Sequence, residues 1–261
     1  PEIKPSVFFS YCGFLINFGS LRLRAGVAKI GKFPYKAASK MAIKDKLAEL
    51  KASLPAGVRL VAVSKTYPAE VVREAYDAGQ RLFGENRPQE MDAKRQQLPA
   101  DIEWHMIGHL QTNKVKLIAP YVSMIHSVDS AKLLGVINEQ ALKNNRVIDV
   151  LFEVHVAREE SKHGWNEGEL IAYLRGGEYR QMQGVRFRGL MGVATFTDDG
   201  SVVRDEFMRL NGLFSRLRHD FFGRDFDTLS MGMSGDYLQA IACGGNMVRI
   251  GSLIFGARNY V

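Results

Sequence analysis

A lysine stands at the end of the run RLVAVSKTYP, residues 59–68, where an amine can do chemistry that an ordinary surface lysine does not. Leu60 to Val63 is a short, β-branched, apolar run of the kind that forms a strand buried on both faces, and Lys65 follows almost at its end. Such a lysine either lays its stem along a rim with the ammonium in water, or is partly buried, lowered in pKa and able to condense with a carbonyl. Far along the chain, SMGMSGDYLQAI (230–241) passes through Gly232, Ser234 and Gly235 into a helix, a pattern that aims backbone N–H groups and a hydroxyl at an anion. The run MVRIGSLIFG (247–256) adds Gly251 and Ser252 on the next strand, with Arg249 two residues earlier on the same face. Arg249 is either a buried cation paired with a carboxylate or a cation facing a cofactor ring nitrogen. Taken singly, each feature fits an ordinary turn. A lysine, a glycine-serine cradle and an arginine taken together outline a site for a phosphorylated aldehyde.

The elements that must position these groups alternate from Ile43 onward. Strand-like runs occupy 58–64, 81–86, 102–108, 123–129, 149–157, 185–195, 227–234 and 247–256, with amphipathic stretches such as PAEVVREAYDAG and SAKLLGVINEQALKN between them. Regular alternation of this kind predicts parallel β with helical crossovers. Eight strands predict an α/β fold of a single (β/α)8 TIM-type barrel rather than an open sheet, and no GxGxxG follows the first strand. In a closed barrel the first and last strands are neighbours, so Lys65 is expected beside Gly251 and Ser252 at the C-terminal end, where barrel loops commonly bind phosphate.

Bulk properties narrow the function further. A chain of 261 residues with 46% hydrophobic content has room for one large core. The net charge of +7 comes mostly from residues 1–40, where Lys4, Arg22, Arg24, Lys29, Lys32, Lys36 and Lys40 face Glu2 alone. The remainder is close to neutral, so no nucleic-acid partner is expected. The apolar segment Val7 to Phe18 is too short to span a bilayer and makes a poor signal peptide, so no membrane association is expected. Cys12 and Cys243 form no CxxC or Cys/His pattern, which fits a reducing cytoplasm and a site without metal. Residues 1–40 read as an upstream extension or disordered tail, with Met41 as the natural start and 41–261 as the barrel.

The segments VAVSKT, FGEN, EWHMIGHLQTNK, HSVDS, SMGMSGDYLQAI and VRIGSLIFGARNY closely resemble the YggS/PROSC family of pyridoxal phosphate (PLP) homeostasis proteins, over essentially residues 41–260. The resemblance implies a PLP fold type III barrel similar to the N-terminal domain of alanine racemase, without its β-rich domain. It also implies that Lys65 forms an internal aldimine with PLP. Ser234, Gly251 and Ser252 would hold the phosphate, Arg249 would face the pyridine nitrogen, and Asn86 would line the cofactor face. In NRPQE the sequence departs from the family's usual aromatic-aliphatic pair, a local change compatible with Pro88 at an early helical position.

Other matched positions carry open roles. His105 is either a general base or a structural histidine of the third strand. Gln111, Asn113 and Lys114 either cap and solvate a helix start or face a partner. His155, Lys162 and His163 read as a solvated rim loop, and Met191, Met231 and Met233 as core or cofactor packing.

Related racemases supply a second acid/base tyrosine from a β-rich domain after the barrel, whereas this sequence ends at Val261, a few residues past the last strand run. An arginine at the pyridine nitrogen also disfavours ring protonation and weakens the ring as an electron sink. The expectation is therefore a PLP carrier, monomer or weak dimer, that maintains PLP supply, with PLP-dependent apo-enzymes as partners and no catalytic residues. A racemase-like enzyme is the alternative, and a Schiff-base aldolase a third class whose lysine usually lies on a mid-barrel strand.

Overall fold

In a computed structural model, residues 42–157 and 164–257 are described. Residues 1–40 and Met41, together with Cys12, Lys162 and His163, lie outside the described residues. The elements alternate as expected. α1 (Ile43–Ser53) leads into β1 (Arg59–Val63), α2 (Ala69–Asp77), β2 (Leu82–Glu85), α3 (Pro88–Arg95), β3 (Glu103–Met106), α4 (Val115–Ile118) and β4 (Met124–Val128). Then follow α5 (Ala131–Lys143), β5 (Ile148–Glu153), α6 (Glu167–Gly176), β6 (Val185–Met191), α7 (Gly200–Leu217), β7 (Thr228–Ser230), α8 (Tyr237–Ala242), β8 (Met247–Ile250) and α9 (Ser252–Phe255). The strands close in sequence order into a parallel barrel, and β1 pairs with β8 in the register Arg59↔Met247 to Ala62↔Ile250.

Local chemistry accounts for the helix boundaries. Ser130 caps α5 by accepting from the Leu133 amide at 3.3 Å, and Asn166 caps α6 by accepting from Glu169 at 2.8 Å. Pro88 opens α3, where its missing N–H costs nothing. Gly177 ends α6 in the left-handed region at φ 79°.

Two layers of apolar packing follow from the strand period. Outward residues such as Phe83, Trp104 and Phe152 join the helices in the main core, all buried. Inward residues Val61, Met124, Leu151, Met191 and Met247 fill the barrel lumen as a separate cluster. Gly189 lets β6 and β7 approach: a Cβ there would lie 1.7 Å from the Thr228 carbonyl oxygen.

Several strands are shorter than their apolar runs. The run 247–256 is strand only to Ile250; SLIF is a helical turn, so Ser252 is not on the strand. Gly251 turns the chain off the ladder at ψ −67°, and its carbonyl accepts from Ile254 and Phe255, each at 2.9 Å. The runs 149–157 and 185–195 likewise leave the ladder after Glu153 and Met191, where the chain enters the loops of the C-terminal mouth. Apolar composition alone does not distinguish a strand from the first turn after it.

Candidate functional site

Alternation carries directly into the mouth of the barrel. Ser64 continues the β1 ladder by donating to Gly84 O at 3.0 Å, so Lys65 falls on the same inward side as Val61. The same period directs Asn86 inward after β2, Glu153 at the end of β5, and Arg249 on β8. Lys65 and Asn86 are half-buried.

Ser64, pointing the other way, anchors the Lys65 loop. Its hydroxyl donates to Glu85 Oε1 at 2.7 Å, and Lys94 Nζ, only 5% exposed, donates to Ser64 O, Glu85 Oε1 and Glu90 Oε1, each at 2.7 Å. Glu90 Oε1 also accepts from the Thr66 amide at 2.5 Å. Thr66 sits at φ 71°, a left-handed conformation that a β-branched residue adopts only when its surroundings hold it there. Burial pushes the Glu85 carboxyl up to about 7, while Lys94 and Ser64 pull it down. Lys94 and Glu90 together therefore tie α3 to both residues flanking Lys65, the ammonium to Ser64 O and the carboxylate to the Thr66 amide. From the β8 side, the Tyr67 hydroxyl donates to Gly256 O at 2.7 Å and its ring packs 4.9 Å from Phe255.

The opposite wall of this corner holds the glycines and serines expected to form an anion site. Gly251 N donates to Ser234 Oγ at 3.4 Å, bringing the loops after β7 and β8 together. The first-turn amides of α9, at Ser252 and Leu253, have no carbonyl of their own helix to reach. Gly232 is held at φ +95°, and a Cβ there would sit 2.7 Å from Ala240 Cβ, so the turn into α8 requires glycine.

Arg249 is 4% exposed, and burial lowers its guanidinium to about 10 against the pull of Asp236 and Glu153. Its Nη1 donates to Ser230 O at 2.8 Å and Ser230 Oγ at 2.7 Å, and its Nη2 to Gly192 O at 3.0 Å. Beneath it, His126 Nδ1 meets Ser230 Oγ at 3.0 Å, and His126 Nε2 meets His105 Nδ1 at 2.9 Å. Burial holds His105 down to about 3 and His126 well below the usual range, with Arg249 and Arg59 adding repulsion at His126. Across the mouth, burial and Asp129 raise Glu153 to about 7, and its Oε2 is buried without a hydrogen bond. Asp129 itself meets His109 Nδ1 at 3.0 Å.

The expected residues thus divide. Lys65, Asn86, Ser234, Arg249, Gly251 and Ser252 all lie on the loops or inner face of the C-terminal end. His105 is a structural member of a buried pair, and Gln111 and Asn113 are exposed beside half-buried Lys114 at a short 3-10 turn. His155 is half-buried with its Nε2 enclosed and without a hydrogen bond, unlike a solvated rim residue. Met191 and Met231 are core, whereas Met233 is 40% exposed on the loop after β7, where its amide donates to Asp236 Oδ1 at 2.5 Å.

Sequence reading missed Glu85, Glu90 and Lys94, His126, Ser230 and Glu153. For His126 and Glu153 a signal existed: both are polar at inward positions of apolar strand runs. Lys94 offered none, since a lysine on a polar helix reads as solvated. Among the described residues no group of His, Cys, Asp and Glu is placed to hold a metal, and no helix is long and apolar enough to cross a membrane.

These donors suit PLP in kind: an inward amine for an aldehyde, hydroxyls and first-turn amides for a phosphate, and a buried guanidinium for a ring nitrogen. Fold and site define a class, the closed parallel β/α barrel with a lysine after its first strand and a glycine-serine turn after its last. The family model described as alanine racemase, N-terminal domain, matches residues 39–259. The chain belongs to the family of pyridoxal phosphate homeostasis proteins. Its relative of that name from Aquifex aeolicus is 42% identical over 206 residues, 77% of this chain and 88% of the relative. That from Haemophilus influenzae is 40% identical over 206 residues, 78% of this chain and 86% of the relative. Among solved structures, PipY of Synechococcus elongatus with PLP bound is similar at 36% identity and a TM-score of 0.75, covering 82% of this chain and 100% of that one. Alanine racemase from E. faecalis aligns at 16% identity with a TM-score of 0.64, over 82% of this chain and 57% of that one, which speaks to the fold alone.

Proposed function

We propose that this protein binds PLP at the barrel mouth through Lys65 and serves PLP homeostasis by holding the cofactor and passing it on without turnover. The observation that carries this reading is that β1 and β8 pair in parallel, so that Lys65, just after β1, and the Gly251–Ser252 turn, just after β8, leave the same end of adjacent strands. When bound, the cofactor supplies an aldehyde that condenses with an amine. The protein's own part is positional. Lys94 and Glu90 hold the turn that aims Lys65, and Ser234, Ser252 and the α9 amides hold the phosphate. Asn86 lines the cofactor, and Arg249 keeps a cation at the ring nitrogen, which leaves that nitrogen unprotonated and the ring a poor electron sink. Such a site suits storage and hand-over to apo-enzymes in the cytoplasm, by a monomer or weak dimer.

Adding PLP should give a visible band that borohydride fixes on the peptide containing Lys65, and Lys65→Ala should abolish both. A wild-type protein that stays colourless with PLP would sink the proposal.

One observation favours a second reading as a racemase-like enzyme. Glu153 lies on β5, four strands from β1 in either direction, with a carboxyl poised near neutrality for proton transfer. Sustained racemisation of alanine by the PLP-loaded chain on a chiral column, lost in Glu153→Gln, would establish it; no turnover leaves the carrier.

A further inference from the structure

The polar line beneath Arg249 has a direction that follows from counting hydrogens. Arg249 has only donors, so Ser230 Oγ accepts from Nη1 at 2.7 Å. That hydroxyl has one hydrogen to place, and the acceptor in reach is His126 Nδ1 at 3.0 Å. His126 is then bare at Nδ1 and, being neutral, carries its hydrogen at Nε2. From there it donates to His105 Nδ1 at 2.9 Å, so His105 is also protonated at Nε2. The reverse order makes Ser230 Oγ accept from both Arg249 and His126, and its own hydrogen is orphaned in the barrel interior, a cost native structures avoid. Electrostatics favour the same order. Each acceptor end faces the guanidinium and each donor hydrogen points away from it, so every dipole in the line is aligned by the cation. An imidazolium in the line would lie between Arg249 and Arg59, both of which repel it.

We propose that Ser230, His126 and His105 form a one-way hydrogen-bond line, with both imidazoles held as the Nε2–H tautomer, that positions Arg249 for the cofactor. Two of Arg249's donors are spent on Ser230 and one on Gly192, which fixes the guanidinium plane and leaves Nε–H and the second Nη2–H for a ligand. Ser230, His126 and His105 are therefore positioning residues. Their role toward PLP rests on the reading of the mouth as a PLP site; the tautomers do not.

The test begins with the 15N-labelled full chain without added PLP. Long-range 1H–15N spectra should show both buried imidazoles protonated at Nε2 and bare at Nδ1, unchanged between pH 5 and 8. An Nδ1–H pattern, a tautomer average or an imidazolium signal at either residue overturns the line. In Ser230→Ala, His126 loses its donor and should shift to a mixture of tautomers. PLP affinity should fall about tenfold, the effect of one lost buried charge-assisted hydrogen bond, and the visible band should move. Wild-type tautomers and affinity in Ser230→Ala overturn the positioning role. Should that variant fail to fold, the wild-type spectrum still decides the line. A wild-type chain that shows the tautomers but binds no PLP refutes the PLP reading and leaves the line standing.

Discussion

Two buried polar networks flank the candidate site, and they deal with buried charge in opposite ways. Around Lys65 the structure keeps formal charges and surrounds one ammonium with two carboxylates and a carbonyl. Under Arg249 a single cation is kept and every other group is neutral, the imidazoles having given up their protons to burial. The first network lies between the strands and α3, where acidic partners on two elements converge; the second lies inside the lumen, where the guanidinium donates to neutral oxygens and the carboxylates of Asp236 and Glu153 act on it only from a distance. The turn that carries Lys65 is thus pinned by strong, non-directional charge, and a planar guanidinium by directional hydrogen bonds to neutral oxygens.

The contrast is broken most easily at Lys94. Lys94→Met leaves Glu85 buried without its cation and should cost roughly 3–5 kcal/mol in denaturant unfolding. Because Glu85 is raised to about 7 from an ordinary 4.5, the folded state holds its proton more tightly, and its ionisation works against folding as pH rises through that window. The deficit in Lys94→Met should therefore shrink from pH 8 to pH 6, and adding Glu85→Gln should recover part of it. A Lys94→Met protein as stable as wild type would show that the charged network does not hold the loop.

The histidine network should have the opposite pH slope. His105 titrates near 3 when folded against an ordinary 6.5, so the unfolded chain binds more protons between those values. Its contribution is complete above pH 6.5 and is lost as pH falls toward 3. Between pH 7 and pH 5 this removes about 2 kcal/mol for His105, and His105→Gln should abolish that share of the slope in unfolding titrations. An unchanged slope would mean that the pair is protonated in the folded protein.

Smaller effects separate the loop's hold from its strain. Tyr67→Phe removes the bond to Gly256 O and should cost about 1 kcal/mol, with PLP binding weakened by a few-fold. Thr66→Gly should leave stability unchanged or raise it by up to ~1 kcal/mol, since glycine accepts a positive φ freely. The same change should weaken PLP binding by loosening the turn that carries Lys65. Tighter binding in Thr66→Gly would show that the strained turn opposes the ligand.

Much of the fold is legible in the sequence itself. Strand and helix periods specify eight alternating units, and eight parallel strands with short connections have one way to close, so β1 meets β8 and Lys65 follows β1 at the same end at which Gly251 follows β8. Alternation also sets which side chains face the lumen, and Lys65, Asn86 and Arg249 all fall on that side, although Asn86 is legible only through the family resemblance. Where each strand stops was less legible, because Gly251 and the apolar SLIF read equally as strand or helical turn until the ladder runs out.

Only the tertiary structure decided how charges are satisfied. Lys94 is a surface lysine by every local criterion, and it is buried because Glu85 and the Ser64 carbonyl reach it from two other segments, beside Glu90 on its own helix. His105 and His126 belong to different strands, and Ser230 lies more than a hundred residues beyond His126. Periodicity is a local property that survives in one dimension; proton positions and ion pairing depend on partners that folding brings together from distant parts of the chain.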